Sequence, residues 1–245
     1  MSGPTGFPGD PNPFQSPQAS TGPDPFSPLG NLRSGPPWEQ TEKPLVGRYV
    51  ETVVLAYTNT MVLFSDMRRE GGFGAPLFFA VIGGVIGGVI GTIPQIFLQL
   101  VMTGMQAGQA DAQAVGLMAG MGVGMAVAMM IFIPIGVVIA TFIYSGLYHL
   151  MLMILGGANF PYETTFRVVA YAGGASSLLL AIPFCGQYVS GIVAIVFYII
   201  GLMKAQEISG MKATAAVLLP MLICCVLIFG VVFAVIGIGV AASSS

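Results

Sequence analysis

The chain has 245 residues, 55% of them hydrophobic and 7% charged, against the roughly 25% charge usual for soluble domains. A soluble fold with so few charges would expose large apolar patches and aggregate, so the composition is that of an integral membrane protein. The net charge of −2 identifies no partner, because the distribution is lopsided: twelve charges lie in the first 70 residues. Only Asp111, Glu163, Arg167, Lys204, Glu207 and Lys212 follow.

Residues 1–44 hold eleven of the seventeen prolines and few aliphatic side chains. Such a segment cannot bury enough apolar surface to offset chain entropy and is expected to be a disordered tail. It contains Asn12-Pro13-Phe14 and Asp24-Pro25-Phe26, similar to tripeptides that endocytic adaptors bind, although a Pro-rich tail produces such triplets by chance. No apolar run opens the sequence, so no cleavable signal peptide is expected.

From Leu45 the pattern changes. Val46, Val50, Val53, Tyr57, Met61 and Phe64 recur every three or four residues, with Arg48, Glu51, Thr58 and Asn59 between them. This predicts an amphipathic helix lying at the membrane interface or packed on the ends of the spans, within a lead-in region over 45–76. About 20 apolar residues cross a bilayer as a helix. Spans are predicted near 77–103, 123–155, 168–184, 187–203 and 214–240, forming a membrane domain over 77–241. The second is long for one crossing and contains Pro134, where a kink is expected. The third and fourth form a hairpin through Pro183 and Gly186. The fold class is therefore all-α: a five-helix polytopic transmembrane bundle with a disordered tail and an interfacial amphipathic helix.

The charges orient it. Lys and Arg near span ends stay on the cytoplasmic side. Five spans with a cytoplasmic N-terminus put Arg33, Lys43, Arg48, Arg68, Arg69, Arg167, Lys204 and Lys212 on one side and the C-terminus outside. Splitting the second span at Pro134 would give six spans and separate Arg167 from Lys204 and Lys212. Arg68, Arg69 and Arg167 are the basic groups expected to face lipid, where each contributes about 1 kcal/mol against anionic headgroups.

Helices in lipid associate by close backbone approach rather than by hydrophobic force. Gly83, Gly87 and Gly91 share one helix face at spacing four, and Gly116, Gly120 and Gly124 repeat the device. These glycine zippers predict helix packing within the monomer, with homo-oligomerisation as the alternative.

Chemistry is sparse. Ionisable groups inside a membrane usually mark function, and the spans contain almost none. Gln95, Gln99, Gln187 and His149 are the strongest polar candidates. Ser145 and His149, four apart on a helix, are read as a hydrogen-bonded pair, because no acid or oxyanion donor completes a hydrolase. Cys185, Cys224 and Cys225 lack ligand spacing and are read as reduced packing residues. No catalytic, cofactor-binding or metal-binding residue is expected, and no nucleic-acid partner. The expected partners are the lipid bilayer and proteins docking on residues 1–70.

Several blocks in order complete the reading: Gly71-Gly-Phe-Gly-Ala-Pro-Leu-Phe-Phe79, Tyr148-His-Leu-Met-Leu-Met-Ile-Leu-Gly-Gly157, Phe160, Thr165-Phe166, Arg167-Val-Val-Ala-Tyr-Ala172, Ile182-Pro183, Gly186, Ile208-Ser-Gly-Met-Lys-Ala213 and Leu218-Leu-Pro220. Over about 45–240 the chain resembles the Yip (Ypt/Rab-interacting protein) membrane-domain family, most closely its bacterial-type members. The resemblance implies a cytoplasmic N-terminal region, five spans and a noncatalytic role as scaffold or adaptor in membrane organisation or trafficking, here in a bacterial inner membrane. The Asp-Leu-x-Gly-Pro motif of the eukaryotic branch is matched only loosely, since Met67-Arg68 follows Asp66 and Gly74-Ala75 precedes Pro76. A permease or channel for a neutral or apolar solute, using Gln95, Gln99 or His149, is the alternative.

Overall fold

The computed structural model describes residues 33–106 and 112–243, all helix and connecting turns, with no strand among them. Of the tail expected over 1–44, residues 1–32, with both Phe triplets, lie outside the described residues. A short 3-10 turn, Pro37–Glu39, is followed by α1 (Leu45–Thr58), α2 (Thr60–Asp66), α3 (Gly74–Gln106) and α4 (Ala112–Ile154). Then come α5 (Tyr162–Ser177), a second 3-10 turn over Leu178–Ala181, α6 (Gly186–Ala205) and α7 (Gly210–Ser243). The spans Gly74–Met105, Gly116–Ile154, Gly186–Ala205 and Gly210–Gly230 are long and apolar enough to cross a membrane.

The amphipathic stretch is two helices. Asn59 ends α1 and caps α2, its side chain accepting from the Val62 amide at 3.3 Å. The apolar stripe also divides. Leu63 and Phe64 are buried in the bundle, whereas Val46, Val50, Tyr57 and Met61 remain exposed on its outer surface. Tyr57 still donates its hydroxyl to the Ala175 carbonyl at 2.9 Å, so α1 lies along the flank of α5.

Helix α4 runs unbroken through Pro134. At 43 residues it is about 65 Å long, and α3, at 33, about 50 Å. Gly156 terminates α4 in the left-handed region with φ 61°. The Gly157 amide then reaches the Leu152 carbonyl at 2.7 Å and the Gly156 amide reaches that of Met153, a Schellman closure. Glu207, with φ 53°, closes α6 in the same way, its neighbour Ile208 donating to Met203.

Helix α5 is the hub. It begins six residues before the predicted span, spans 16 residues, and buries nearly every residue from Thr164 to Ser176. Its composition explains this. Gly173, Gly174, Ala172 and Ala175 let neighbours approach on several faces, so α5 is enclosed by α3, α4 and α6 instead of presenting an apolar face to lipid. The glycines of α3 complete the fit. A Cβ on Gly83, Gly87 or Gly91 would strike the carbonyls of Gly174, Ser177 or Leu180, while Gly84 and Gly88 face Val137 and Ile133 of α4. The α5 glycine is equally constrained, since a Cβ on Gly174 would lie 2.7 Å from a Phe79 ring carbon. By contrast, nothing lies within 4 Å of the corresponding positions on Gly116, Gly120 and Gly124.

Candidate functional site: a charged platform at one end of the bundle

The start of α3, the end of α4, the start of α5, the end of α6 and the start of α7 meet at one end of the molecule. Lys212 of α7 donates to the Gly156 carbonyl at 3.0 Å, and Asn159 donates to the Gln206 carbonyl at 2.8 Å. Arg167, in the second turn of α5, is fully buried beneath this end. A buried guanidinium needs a counter-charge and acceptors for its five donors. Glu39 supplies the counter-charge, ion-paired to Arg167 and hydrogen-bonded by the Tyr171 hydroxyl. Arg167 Nε donates to the Arg68 carbonyl at 2.8 Å and Nη1 to the Gly72 carbonyl at 3.0 Å. Glu163, one turn earlier on α5, lies 3.8 Å from Arg167 and accepts from the Gly72 amide at 2.6 Å.

A second knot sits beside the first. Arg69, 4% exposed, pairs with Glu207 and lies 3.4 Å above the Phe160 ring. Arg33 reaches the same Glu207 oxygen at 3.1 Å. Burial, and then the neighbouring Arg69 charge, lower the pKa of Arg33, with Glu207 opposing both. Gln206, fully buried, accepts from the Phe160 amide at 2.8 Å and donates to Thr165 at 3.1 Å.

These contacts hold residues 33–39 against the bundle. Trp38 is 4% exposed, donates its ring N–H to the Ala75 carbonyl at 2.6 Å and packs on Tyr49, Phe78 and Phe79. Composition alone assigns this stretch to the tail. One Trp-Glu dipeptide among prolines, with a buried Arg as its partner, outweighs the local average.

Of the three basic residues expected to face lipid, Arg68 keeps half its side chain exposed, whereas Arg69 and Arg167 are enclosed by protein partners. Ser145 and His149 turn to α5 rather than to each other. Ser145 shares a 2.7 Å hydrogen bond with Tyr162, and His149 Nδ1 shares one of 3.0 Å with Thr165. Both belong to the platform side of the bundle. Cys185, Cys224 and Cys225, expected to be reduced packing residues, are free and exposed.

The remaining polar candidates lie farther along the bundle. Gln95 and Gln187 line one cavity of about 800 Å³, with Thr92, Phe132 and Phe184, between α3, α4 and the turn before α6. Gln99 lies against Gly122 of α4. The structure therefore brings Gln95 and Gln187 together and leaves His149 apart. Glu39, Trp38 and Gln206 carry no sequence motif, and neither does Glu207; their importance comes from packing or pairing with Arg167, Arg69 and their neighbours.

The family model described as the Yip1 domain matches residues 54–233. Neither the curated proteins nor the solved structures give a match.

Proposed function

The chain belongs to the Yip1 domain family, and we propose that it acts there as a noncatalytic scaffold or adaptor that organises membrane and recruits proteins through residues 1–70. It is a multi-pass membrane protein with several apolar helices. The observation that carries the proposal is the segregation of charge. Glu163, Arg167, Lys204, Glu207 and Lys212 lie at the same end as Arg33, Glu39, Arg68 and Arg69. There they anchor the segment that leads to the N-terminal region, while the rest of the bundle offers no acid or base for coupled transport among the described residues. A protein built to hold a tail at a membrane surface needs this platform and no reaction centre.

The proposal includes a topology of five crossings. Helix α5 starts at the platform and α6 ends there, so the turn joining them lies across the bundle, against Gly91. The 16 residues of α5 and the four-residue turn add about 24 Å of α-helix and about 8 Å of 3-10 helix, enough for the ~30 Å hydrocarbon core. With the platform cytoplasmic, as positive residues favour, the C-terminus lies outside, and a bacterial inner membrane is the proposed location. The exposed stripe Val46, Val50, Tyr57 and Met61 supports an interfacial position for α1.

Crosslinking the full-length protein in native membranes tests the recruiting role. Neighbours captured from residues 1–44 and lost when those residues are deleted agree with it. Solute flux through the purified protein in liposomes, abolished by Gln95→Ala without loss of protein, would replace it with the permease reading that the Gln95–Gln187 cavity favours.

A further inference from the structure

Beside the Arg167–Glu39 knot is an open cleft of about 370 Å³ lined by Trp38, Glu39, Leu45, Arg48, Arg68 and Phe78. We propose that this cleft binds the phosphate of an anionic phospholipid headgroup, with the lipid's acyl chains lying along Phe78 and the outer face of α3.

Charge points to an anion. Two guanidiniums line the cleft, and its one carboxylate, Glu39, is already held by Arg167 and Tyr171. The nearest Arg68 nitrogen stays 4.0 Å from Glu39, and half of that side chain is exposed. Arg48 stacks over Trp38 at 5.6 Å and donates one N–H to the Trp38 carbonyl at 3.2 Å. Its Nε is buried without a hydrogen-bond partner. A half-buried guanidinium with an unsatisfied N–H is costly alone, and its open face gains charge-assisted hydrogen bonds from a phosphate oxygen. Lys43 and Glu51 neutralise each other at 2.7 Å on the exposed face of α1 and leave the balance of the cleft unchanged.

The rim points to a lipid rather than a soluble phosphate. Leu45 and Phe78 are 46% and 52% exposed, and Val46 beside them 71%. Phe78 lies one turn into α3, the first crossing helix, so the cleft stands where headgroups meet hydrocarbon. A free phosphate leaves this apolar rim in water, whereas an amphiphile covers it. The inference rests on the proposed membrane entry of α3 near Gly74.

Trp38 is the only tryptophan in the chain and lines the cleft, so it reports on the site directly. The full-length protein is reconstituted in phosphatidylcholine bilayers containing either brominated phosphatidylglycerol or brominated phosphatidylcholine at equal mole fraction. Two guanidiniums against one added negative charge predict a preference for the anionic quencher of about tenfold. Arg48→Gln/Arg68→Gln reduces that preference to unity, and Arg68→Gln alone, at a half-exposed position, reduces it about threefold. Lys43→Gln/Glu51→Gln, which removes both members of the neutral pair, leaves it unchanged, and inorganic phosphate does not displace the lipid. Equal quenching by the two lipids in the unaltered chain overturns the headgroup site, as does a loss in Lys43→Gln/Glu51→Gln matching that of the Arg variants. Full displacement by inorganic phosphate overturns the lipid assignment. Failure of either lipid to quench instead refutes the placement of α3 and the site with it.

Discussion

The α3–α4 hairpin has two halves that keep unequal company. Near the platform, Gly83, Gly87 and Gly91 sit against backbone carbonyls of α5 and its following turn, and Gly84 and Gly88 against α4. Farther out, Ile93, Phe97, Met118, Met121 and Met125 are exposed, and Gly116, Gly120 and Gly124 face open space. The spacing of the two glycine series is the same. What differs is the presence of α5, whose small residues complement the near series and whose Arg167 is anchored at the platform. Glycine spacing thus gives a helix the capacity for close approach, and a partner of matching shape decides whether it is used.

Substitutions along the two halves test this contrast. Gly87→Leu drives a side chain into the Ser177 carbonyl, a clash with backbone that exceeds the ~1–3 kcal/mol of ordinary overpacking, so folded protein should disappear from detergent extracts. Gly120→Leu should leave the thermal midpoint of the monomer unchanged; an equal loss would show that the far series has its own partner, such as a second copy. At the platform, Glu39→Gln leaves the buried Arg167 with only Glu163, 3.8 Å away, as counter-charge and should destabilise by about 3 kcal/mol, read as early thermal unfolding. Gln206→Ala strands the Phe160 amide and should cost about 1–3 kcal/mol. A smaller effect, of opposite sign, belongs to Tyr49. Its hydroxyl is buried without a partner, and burial raises its pKa to about 12. Tyr49→Phe should therefore be neutral or stabilising by up to about 1 kcal/mol in the same melts.

Much of the architecture is legible in the sequence because lipid imposes simple demands. Apolar runs must be helices, and α3, α4, α6 and α7 are helical through their apolar runs, α4 starting eleven residues before 123. Helix α5 was harder to read. It is enclosed by protein, so its residues answer to neighbouring helices, and Thr164, Thr165 and Arg167 extend it beyond the apolar run at 168. The break at Asn59 depends on one capping side chain inside a periodic pattern that runs through it. The platform was the least visible part. Glu39 and Arg167 are far apart in the chain, and no local pattern announces that one neutralises the other.

Five crossings with the charged platform on the cytoplasmic side form the central claim, and α5 decides it. The most direct measurement is a pair of topology reporters, one at the N-terminus and one at the C-terminus, read in intact cells. The account predicts opposite sides, with the N-terminal reporter in the cytoplasm and the C-terminal one outside. Both reporters on the cytoplasmic side would contradict it, because α5 would then not cross.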